Sequence, residues 1–166
     1  MAKDINASGR GRCDVSHLDL SETFNGTAAI DPSKLDAVYF FPTPRIYAKR
    51  KELFDRAAFD EFADFYLHRF YELCRWLEQA QRESPLKIYL PSTVFISDRP
   101  KGMTEYAMAK AAAEVLADDI NRSLRNVTVV RSRLPRLATD QTASILKVSV
   151  ASNLDAMLAV VRMVAG

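Results

Sequence analysis

The chain has 166 residues, of which 48 % are hydrophobic and 27 % charged, so a single globular domain of ordinary composition is expected. Its net charge of +2 gives no reason to expect a nucleic-acid or membrane partner. The sequence shows no apolar run of about 18 residues and no apolar leader, which favours a cytoplasmic location.

The first predicted elements are a tail, a loop and a short strand. Residues 1–12 are polar and contain glycine, which predicts a flexible tail or a cut end before an incomplete α/β domain over 13–166. Residues 16–34 carry turn signals and are expected to form a loop. The apolar run over 35–41 ends at Pro42, which is typical of a buried parallel strand.

A long helix is predicted from about Asp55 to Glu83, because apolar residues recur there at helical spacing. It carries two apolar stripes, whereas an ordinary surface helix has one, so we expect it to pack on the sheet and on a second partner. The first stripe comprises Phe59, Phe62, Tyr66, Phe70, Leu73 and Leu77, and the second comprises Ala58, Phe65, Leu67, Cys74 and Trp76.

The middle of the chain predicts a strand, a polar loop and a second helix. The strand covers residues 86–90, and the hydroxyl-bearing pair Ser92 and Thr93 follows it. The helix begins with Thr104 as its expected N-cap and runs to about Arg125. Open α/β sheets place their chemistry in the loops after the carboxyl ends of their strands, so this region is the candidate site.

Three further elements are predicted toward the C-terminus. The β-branched residues over 126–131 favour a strand, and a short strand is expected over 145–150. A last helix is expected over 154–165. Together these elements predict an α/β fold with a mainly parallel sheet of three or four strands and flanking helices.

Tyr106 and Lys110 are four residues apart, so on a helix they share one face, with about 6 Å between their Cβ atoms. A nearby cation lowers the pKa of a tyrosine from its usual value of about 10, and such a tyrosine can exchange a proton with a carbonyl or alcohol oxygen. The hydroxyl of Thr93 or Ser92 could hold the same oxygen by a hydrogen bond. The sequence thus predicts an acid/base site for interconverting ketone and alcohol, with a separate carrier for the hydride.

The spacing by itself is a weak signal, because Tyr47 and Lys51 repeat it in a basic, loop-like run. Thirteen residues before Tyr47 stands Lys34, whereas Thr93 stands thirteen residues before Tyr106 and follows a strand. On the spacing alone, a half-buried tyrosine packed on the sheet and a solvated lysine are the better interpretation.

Several landmarks in order resemble the active-site segment of the short-chain dehydrogenase/reductase family. They are the pair Ser92-Thr93, the run from Tyr106 to Lys110 and the Ala-Ala-Ala-Glu continuation after it. The resemblance runs over residues 13–142. It implies the catalytic half of a Rossmann-like fold. It also implies an NAD(P)-dependent ketone/alcohol oxidoreductase of the ketoreductase type, or its catalytic portion within a larger polypeptide or complex.

The resemblance also implies roles for individual residues. Tyr106 would be the general acid/base, and Lys110 would bind the cofactor ribose and tune the tyrosine. Thr93, with Ser92 as its neighbour, would position the carbonyl. The implied cofactor is NADP or NAD, and the implied substrate is a small carbonyl or alcohol compound, free or carrier-bound.

Four more residues are implied as cofactor contacts. Asp14 and Val15 resemble the end of the family's third strand, where such a pair lies against the adenine, although a turn at Asp14 is an equally good interpretation. Pro135 and Thr139 stand where the family receives the nicotinamide amide. No metal site is expected, because the two cysteines lack metal-ligand spacing.

The glycine-rich turn and the first two β-α units of a whole family member have no counterpart in the sequence, so we expect the chain alone to bind the nucleotide weakly. Without them, the edge of the strand at 35–41 would have no neighbouring strand, and an exposed apolar edge has to be covered. Three explanations stay open. The chain is a piece of a longer protein, it obtains its cofactor half from another chain, or it is a catalytically silent, reductase-like module for dimerisation or scaffolding.

The predicted partner is a second copy of the chain or a reductase-like domain. Monomers rarely expose a large contiguous apolar patch, and the helices predicted here carry more apolar residues than one sheet can cover. Family members pair these two helices across a two-fold axis. The resemblance therefore implies a homodimer, or a contact with a partner domain, through residues 58–77 and 108–120.

Overall fold

The computed structural model describes residues 2–9, 11–16, 20, 30–46, 53–135 and 153–166. Within them, one sheet contains the strands β1 (Ala37–Tyr39), β2 (Leu86–Thr93) and β3 (Val127–Leu134). The strands are hydrogen-bonded in the order β1-β2-β3, and both pairs are parallel. The prediction of an α/β fold with a parallel sheet and flanking helices is confirmed.

The described residues contain six α-helices, a π-helical segment and a 3-10 turn. The π-helical segment joins α2 to α3, so residues 56–78 form one continuous helix. Asp55 caps this helix by accepting a hydrogen bond from Ala58 N at 3.1 Å. The helices are α1 (Ala2–Ala7), α2 (Arg56–Ala63), α3 (Phe70–Glu78), α4 (Phe95–Asp98), α5 (Thr104–Ser123) and α6 (Asn153–Ala165), the π-helical segment is Asp64–Arg69, and the 3-10 turn is Pro32–Lys34.

The main core lies between one face of the sheet and the helices α2, α3 and α5. Helix α5 contributes small side chains, Ala109, Ala113 and Ala117, and all three are buried. Because these residues end at Cβ, the backbone of α5 can approach its neighbours closely, and this brings Tyr106 and Lys110 near the end of β2.

The π-helical segment decides which residues of the long helix face the core. The sequence placed Leu73 in the main stripe and Cys74 outside it, but the structure buries Cys74 completely and leaves Leu73 partly exposed. A π turn is wider than an α turn, so residues four apart, such as Phe62, Tyr66 and Phe70, stay aligned across it. The assignment of Cys74 to a second, outward stripe is therefore wrong.

The opposite face of the sheet is covered by α6. Val160 and Val164 pack on Tyr89 of β2, and the Tyr89 hydroxyl shares a 2.7 Å hydrogen bond with Ser132 Oγ on β3. The last predicted helix is thus confirmed, and the sheet lies between two helical layers.

The two outer strands have different surroundings. On β3, Val129 N donates to Asn121 Oδ1 at 2.6 Å, and Asn121 Nδ2 donates to Val129 O at 3.0 Å. This side-chain amide occupies backbone groups on the side of β3 away from β2. On β1, no described strand pairs with the side that faces away from β2.

Some predicted elements differ from the observed ones. The helix α1 lies inside the segment predicted as a flexible tail, and residues 11–16 are irregular, so the strand end expected at Cys13–Val15 is not formed. Met103, instead of Thr104, is the N-cap of α5. The strand predicted over 145–150 and the Tyr47–Lys51 run lie outside the described residues. In the part of the chain that is described, no helix is both long and apolar enough to cross a bilayer.

Candidate active site

The candidate site lies where β2 ends and α5 begins. Thr93 is the last residue of β2, and its Oγ1 accepts a hydrogen bond from Phe95 N at 3.2 Å. Tyr106 lies in the first turn of α5, and its phenol lies close enough to the side chain of Thr93 for that side chain to influence its pKa. Glu105 is buried beside it and accepts a hydrogen bond from Asp55 N at 2.6 Å, which joins the starts of α2 and α5. The fold thus brings together two hydroxyl groups that stand thirteen residues apart.

The phenol of Tyr106 is surrounded by aromatic rings. Phe62, Tyr66 and Phe95 meet it edge to face, with centroid distances of 5.6, 6.0 and 6.1 Å. Burial raises the pKa of Tyr106 above its ordinary value, while the nearby hydroxyl of Thr93 acts in the lowering direction. The expectation that a neighbouring cation lowers this pKa is therefore wrong, and the tyrosine is a neutral phenol at neutral pH.

Lys110 turns inward rather than toward the phenol oxygen. Its Nζ donates to the carbonyl of Pro91 at 2.7 Å and lies 3.7 Å from the ring centroid of Tyr66, compared with 6.0 Å for the ring of Tyr106. The side chain is buried, and burial lowers the pKa of Lys110 to about 7. The carbonyl and the Tyr66 ring favour the charged form and so act against that shift.

Tyr66 is part of the site although the sequence indicated only a core position for it. It belongs to the π-helical segment, and its hydroxyl hydrogen-bonds with Thr43 Oγ1 at 2.5 Å. Its ring lies between this bond and the ammonium group of Lys110. Burial raises the pKa of Tyr66 far above the ordinary range, so it is a neutral partner for the lysine. No sequence signal marks this contact, because it depends on the π turn.

Ser92 takes part in a separate network. Its Oγ donates to Glu114 Oε1 at 2.5 Å, and Glu114 binds Arg133 through two hydrogen bonds of 2.8 Å. Arg133 also donates to Ser97 Oγ at 2.9 Å. Hydrogen bonding from Arg133 holds the pKa of Glu114 below its ordinary value. The structure therefore does not bring the hydroxyl of Ser92 into the Thr93–Tyr106 pair.

The resemblance implied four further residues as cofactor contacts. Those that the structure describes do not lie around the Thr93–Tyr106 pair. Asp14 is bonded to Arg12 in an exposed irregular segment, and Val15 is 80 % exposed. Pro135 is exposed directly after β3, and Thr139 lies outside the described residues.

The described part of the chain does not fit a nicotinamide nucleotide. The ammonium of Lys110 is directed at Pro91 and Tyr66 rather than outward. Among the described residues, no glycine-rich turn joins a strand directly to the helix after it, since Gly102 lies between α4 and α5. Among the same residues there is no group of three metal-ligating side chains.

No protein-family model, curated protein or solved structure matches the chain. The resemblance to short-chain dehydrogenases/reductases therefore rests on the order and spacing of the quoted residues. The structure itself shows a parallel sheet and places the side chains of Thr93 and Tyr106 near each other.

Proposed function

We propose that this chain is the acid/base part of a ketone/alcohol oxidoreductase of the ketoreductase type. The observation that carries the proposal is the convergence of the side chains of Thr93 and Tyr106 at the carboxyl end of a parallel strand. A phenol and an aliphatic hydroxyl that converge in this way can both contact a single oxygen atom. Tyr106 would exchange the proton with the substrate oxygen, and Thr93 would hold that oxygen in place.

The protonation state of Tyr106 favours one direction of reaction. Because its pKa is raised, the residue carries its proton at neutral pH and can give it to a carbonyl oxygen. The rings of Phe62 and Phe95 line the same phenol and suit a substrate with an apolar body. We therefore favour reduction of a small, apolar carbonyl compound, free or carrier-bound.

The nicotinamide nucleotide, NADP or NAD, would be held by polypeptide that this chain does not contain. The basis is the poor fit of the described residues, above all the inward position of Lys110. Fluorescence titration of the chain with NADPH should give a dissociation constant weaker than roughly 10 μM, which corresponds to about −7 kcal/mol. Tighter binding would show that a nucleotide cradle is present after all.

A second candidate is a catalytically silent, reductase-like module that serves dimerisation or scaffolding. The burial of Lys110 against Tyr66 favours it, because an ammonium group held in the core cannot also reach a bound ribose. In that case the Thr93 and Tyr106 side chains only help to pack α5 on β2.

A kinetic assay separates the two candidates. Reduction of apolar ketones by the chain is followed at NADPH concentrations up to several millimolar, so that weak binding does not hide the chemistry. The oxidoreductase proposal predicts a slow rate that rises linearly with NADPH and falls at least tenfold in Tyr106→Phe, since acid/base groups contribute about 10²–10⁴-fold. Tyr71→Phe, on the exposed side of α3, is the matched control and should keep the rate. A rate equal in the wild type and Tyr106→Phe would leave the silent module as the function.

The proposed partner is a second copy or a reductase-like domain that contacts residues 58–77 and 108–120. Three residues of these ranges are exposed apolar or aromatic side chains, namely Tyr71, Met108 and Val115, and Val115 is 63 % exposed. Sedimentation should show association at micromolar protein, and Val115→Glu should shift it toward the monomer. Val161→Glu, on the exposed side of α6, is the control. A wild-type monomer at high concentration would contradict the homodimer.

A further inference from the structure

Two of the three aromatic rings that surround Tyr106 form fixed walls of the candidate site. Phe62 and Tyr66 belong to the continuous helix 56–78, and their rings stack on each other with a centroid distance of 6.0 Å and an interplanar angle of 7°. Both side chains are buried and belong to the main core. Because protein cores are close-packed, neither ring can move without disturbing that core.

The third wall, the ring of Phe95, lies outside the main core. The described residues that build or border this core include Phe62, Tyr66 and Tyr106 but not Phe95. Phe95 is partly exposed, and its ring meets that of Tyr106 at an interplanar angle of 79° with 6.1 Å between centroids. Among the described rings around Tyr106, Phe95 is therefore the one that borders solvent.

The backbone that carries Phe95 is held at two points, although α4 has only four residues. Phe95 N donates to Thr93 Oγ1 at 3.2 Å, and Arg133 Nη1 donates to Ser97 Oγ at 2.9 Å. The first bond lies at the start of α4 and the second near its end. Movement at this wall is therefore expected in the Phe95 side chain, since a partly exposed residue can change its rotamer without a backbone shift.

We propose that Phe95 determines which carbonyl compounds reach Tyr106. Its ring rotates away from the phenol when a substrate enters, and it then packs on the apolar group beside the carbonyl. Phe95 N keeps its bond to Thr93 Oγ1 during this movement, so the hydroxyl that would hold the substrate oxygen stays in place. The inference deepens the proposed oxidoreductase function and rests on it for the nature of the substrate.

Selection by size follows from this arrangement. Because Phe62 and Tyr66 cannot yield, the room beside the phenol is limited to the space that one phenyl ring releases. A carbonyl compound with a short or flat apolar group fits that space, whereas a branched group does not.

The first test measures access to Tyr106 without a reduction assay. N-acetylimidazole transfers its acetyl group to phenol oxygens that it can reach and releases imidazole, and peptide mass spectrometry gives the rate at Tyr106. Phe95→Ala should raise this rate by about threefold to tenfold, the range that one edge-to-face ring contact contributes. Phe95→Trp fills the same place with a larger ring and should not raise it.

Two further variants serve as controls for the acetylation rate. Phe41 is a half-exposed ring that meets another phenol, Tyr89, at 5.9 Å, so Phe41→Ala removes a matched contact elsewhere and should leave Tyr106 unchanged. Ser97→Ala removes the bond between α4 and Arg133 and should also have no effect, because the helix is not the moving part. Circular dichroism of each variant checks that the fold is retained.

The second test measures selection between two ketones. Butanone carries a short ethyl group beside its carbonyl, and pinacolone carries a branched tert-butyl group. The ratio of kcat/KM for pinacolone to that for butanone should rise by about tenfold or more in Phe95→Ala, since small differences in apolar bulk are discriminated on this scale. The ratio should fall in Phe95→Trp and stay constant in Phe41→Ala.

The outcomes separate this proposal from the proposed function. Equal acetylation of Tyr106 in the wild type and Phe95→Ala would overturn it, as would an equal rise in Ser97→Ala, because the whole of α4 would then move. An unchanged ketone ratio in an active Phe95→Ala would also overturn it. If acetylation rises in Phe95→Ala while no variant reduces either ketone, the control of access by Phe95 is supported and the oxidoreductase function is contradicted.

Discussion

Thr93 and Ser92 are neighbours on β2, yet their hydroxyl groups contact α5 in two different settings. Thr93 meets a neutral phenol among aromatic rings, and burial there raises the pKa of Tyr106. Ser92 meets a carboxylate that is ion-paired with Arg133, and hydrogen bonding there lowers the pKa of Glu114. On the same two elements, β2 and α5, Tyr106 therefore keeps its proton at neutral pH, whereas Glu114, which has a charged partner, releases its proton.

Lys110 stands midway between the two settings, four residues from each of Tyr106 and Glu114. None of the described carboxylates pairs with Lys110, and its ammonium group contacts Pro91 O and the ring of Tyr66. Its position shows that the aromatic environment extends along α5 for at least one turn beyond Tyr106.

The largest expected effect is the pH dependence that Lys110 gives to stability. An unfolded lysine binds its proton up to about pH 10, whereas the buried side chain has a pKa of about 7. Between these values the unfolded state binds more protons, so stability rises with pH, by up to about 1.4 kcal/mol per pH unit. Urea unfolding from pH 7 to pH 9 should show this slope in the wild type and lose it in Lys110→Met.

Lys101→Met is the control for this measurement, since Lys101 is exposed in the loop before α5. It should keep the wild-type slope. Equal slopes in Lys110→Met and the wild type would mean that Lys110 is charged in the folded protein at pH 7, and the aromatic setting would then end at Tyr106.

A smaller effect should distinguish the two hydroxyl groups. Thr93→Val removes the acceptor of Phe95 N and the hydroxyl beside the half-buried Tyr106, and it should destabilise the fold by about 1–3 kcal/mol. Ser92→Ala leaves Glu114 with its two bonds to Arg133, and the loss should be about 0.5–1.5 kcal/mol. Urea unfolding at constant pH gives both values, and the order would be reversed if the ionic network were the tighter link between β2 and α5.

The same Thr93→Val variant should also move the titration of Tyr106. Because the hydroxyl of Thr93 acts to lower the pKa of Tyr106, its removal should raise that pKa further. Absorbance titration of the phenols, with Tyr106→Phe used to identify the contribution of Tyr106, measures the change. An unchanged or lower pKa would show that the two side chains do not interact in solution.

The smallest effect concerns Glu114. Its folded pKa lies below the unfolded value of about 4.3, so its stabilising contribution is present above that pH and is lost as the pH falls through the folded pKa. Glu114→Gln should lower the free energy of unfolding by about 1 kcal/mol at pH values above the folded pKa. This value allows for screening by solvent, because Arg133 is partly exposed. Asp119→Asn, in an exposed pair with Arg122, should change it by less than about 0.5 kcal/mol.

The sequence was informative where one residue pattern decides the structure. Apolar periodicity located the strands and the long helix, and the thirteen-residue spacing from Thr93 to Tyr106 pointed to two hydroxyl groups that the fold brings together. The sequence was not informative where the position of a side chain depends on tertiary packing. The direction of the flexible Lys110 side chain is set by Pro91 and Tyr66, and nothing in the spacing encodes that choice.

The π-helical segment was missed for a related reason. Its residues, Asp64–Arg69, have no composition that distinguishes them from an α-helix, and only the packing on both sides shows the wider turn. The exposed position of Val15 was equally hidden, because the family resemblance assumed a third strand that the described residues do not form.

The unequal lengths of the two ladders have a consequence for folding order. β2 pairs with β3 over eight residues and with β1 over only three. The longer ladder and the intervening α5 form one β-α-β unit, so this unit has the contacts to fold first, and β1 joins it late. In hydrogen exchange, the amides of β1 should open at lower free energy than those of β2 and β3. The strand whose outer side has no described strand beside it is therefore also the part of the sheet that opens at the least energetic cost.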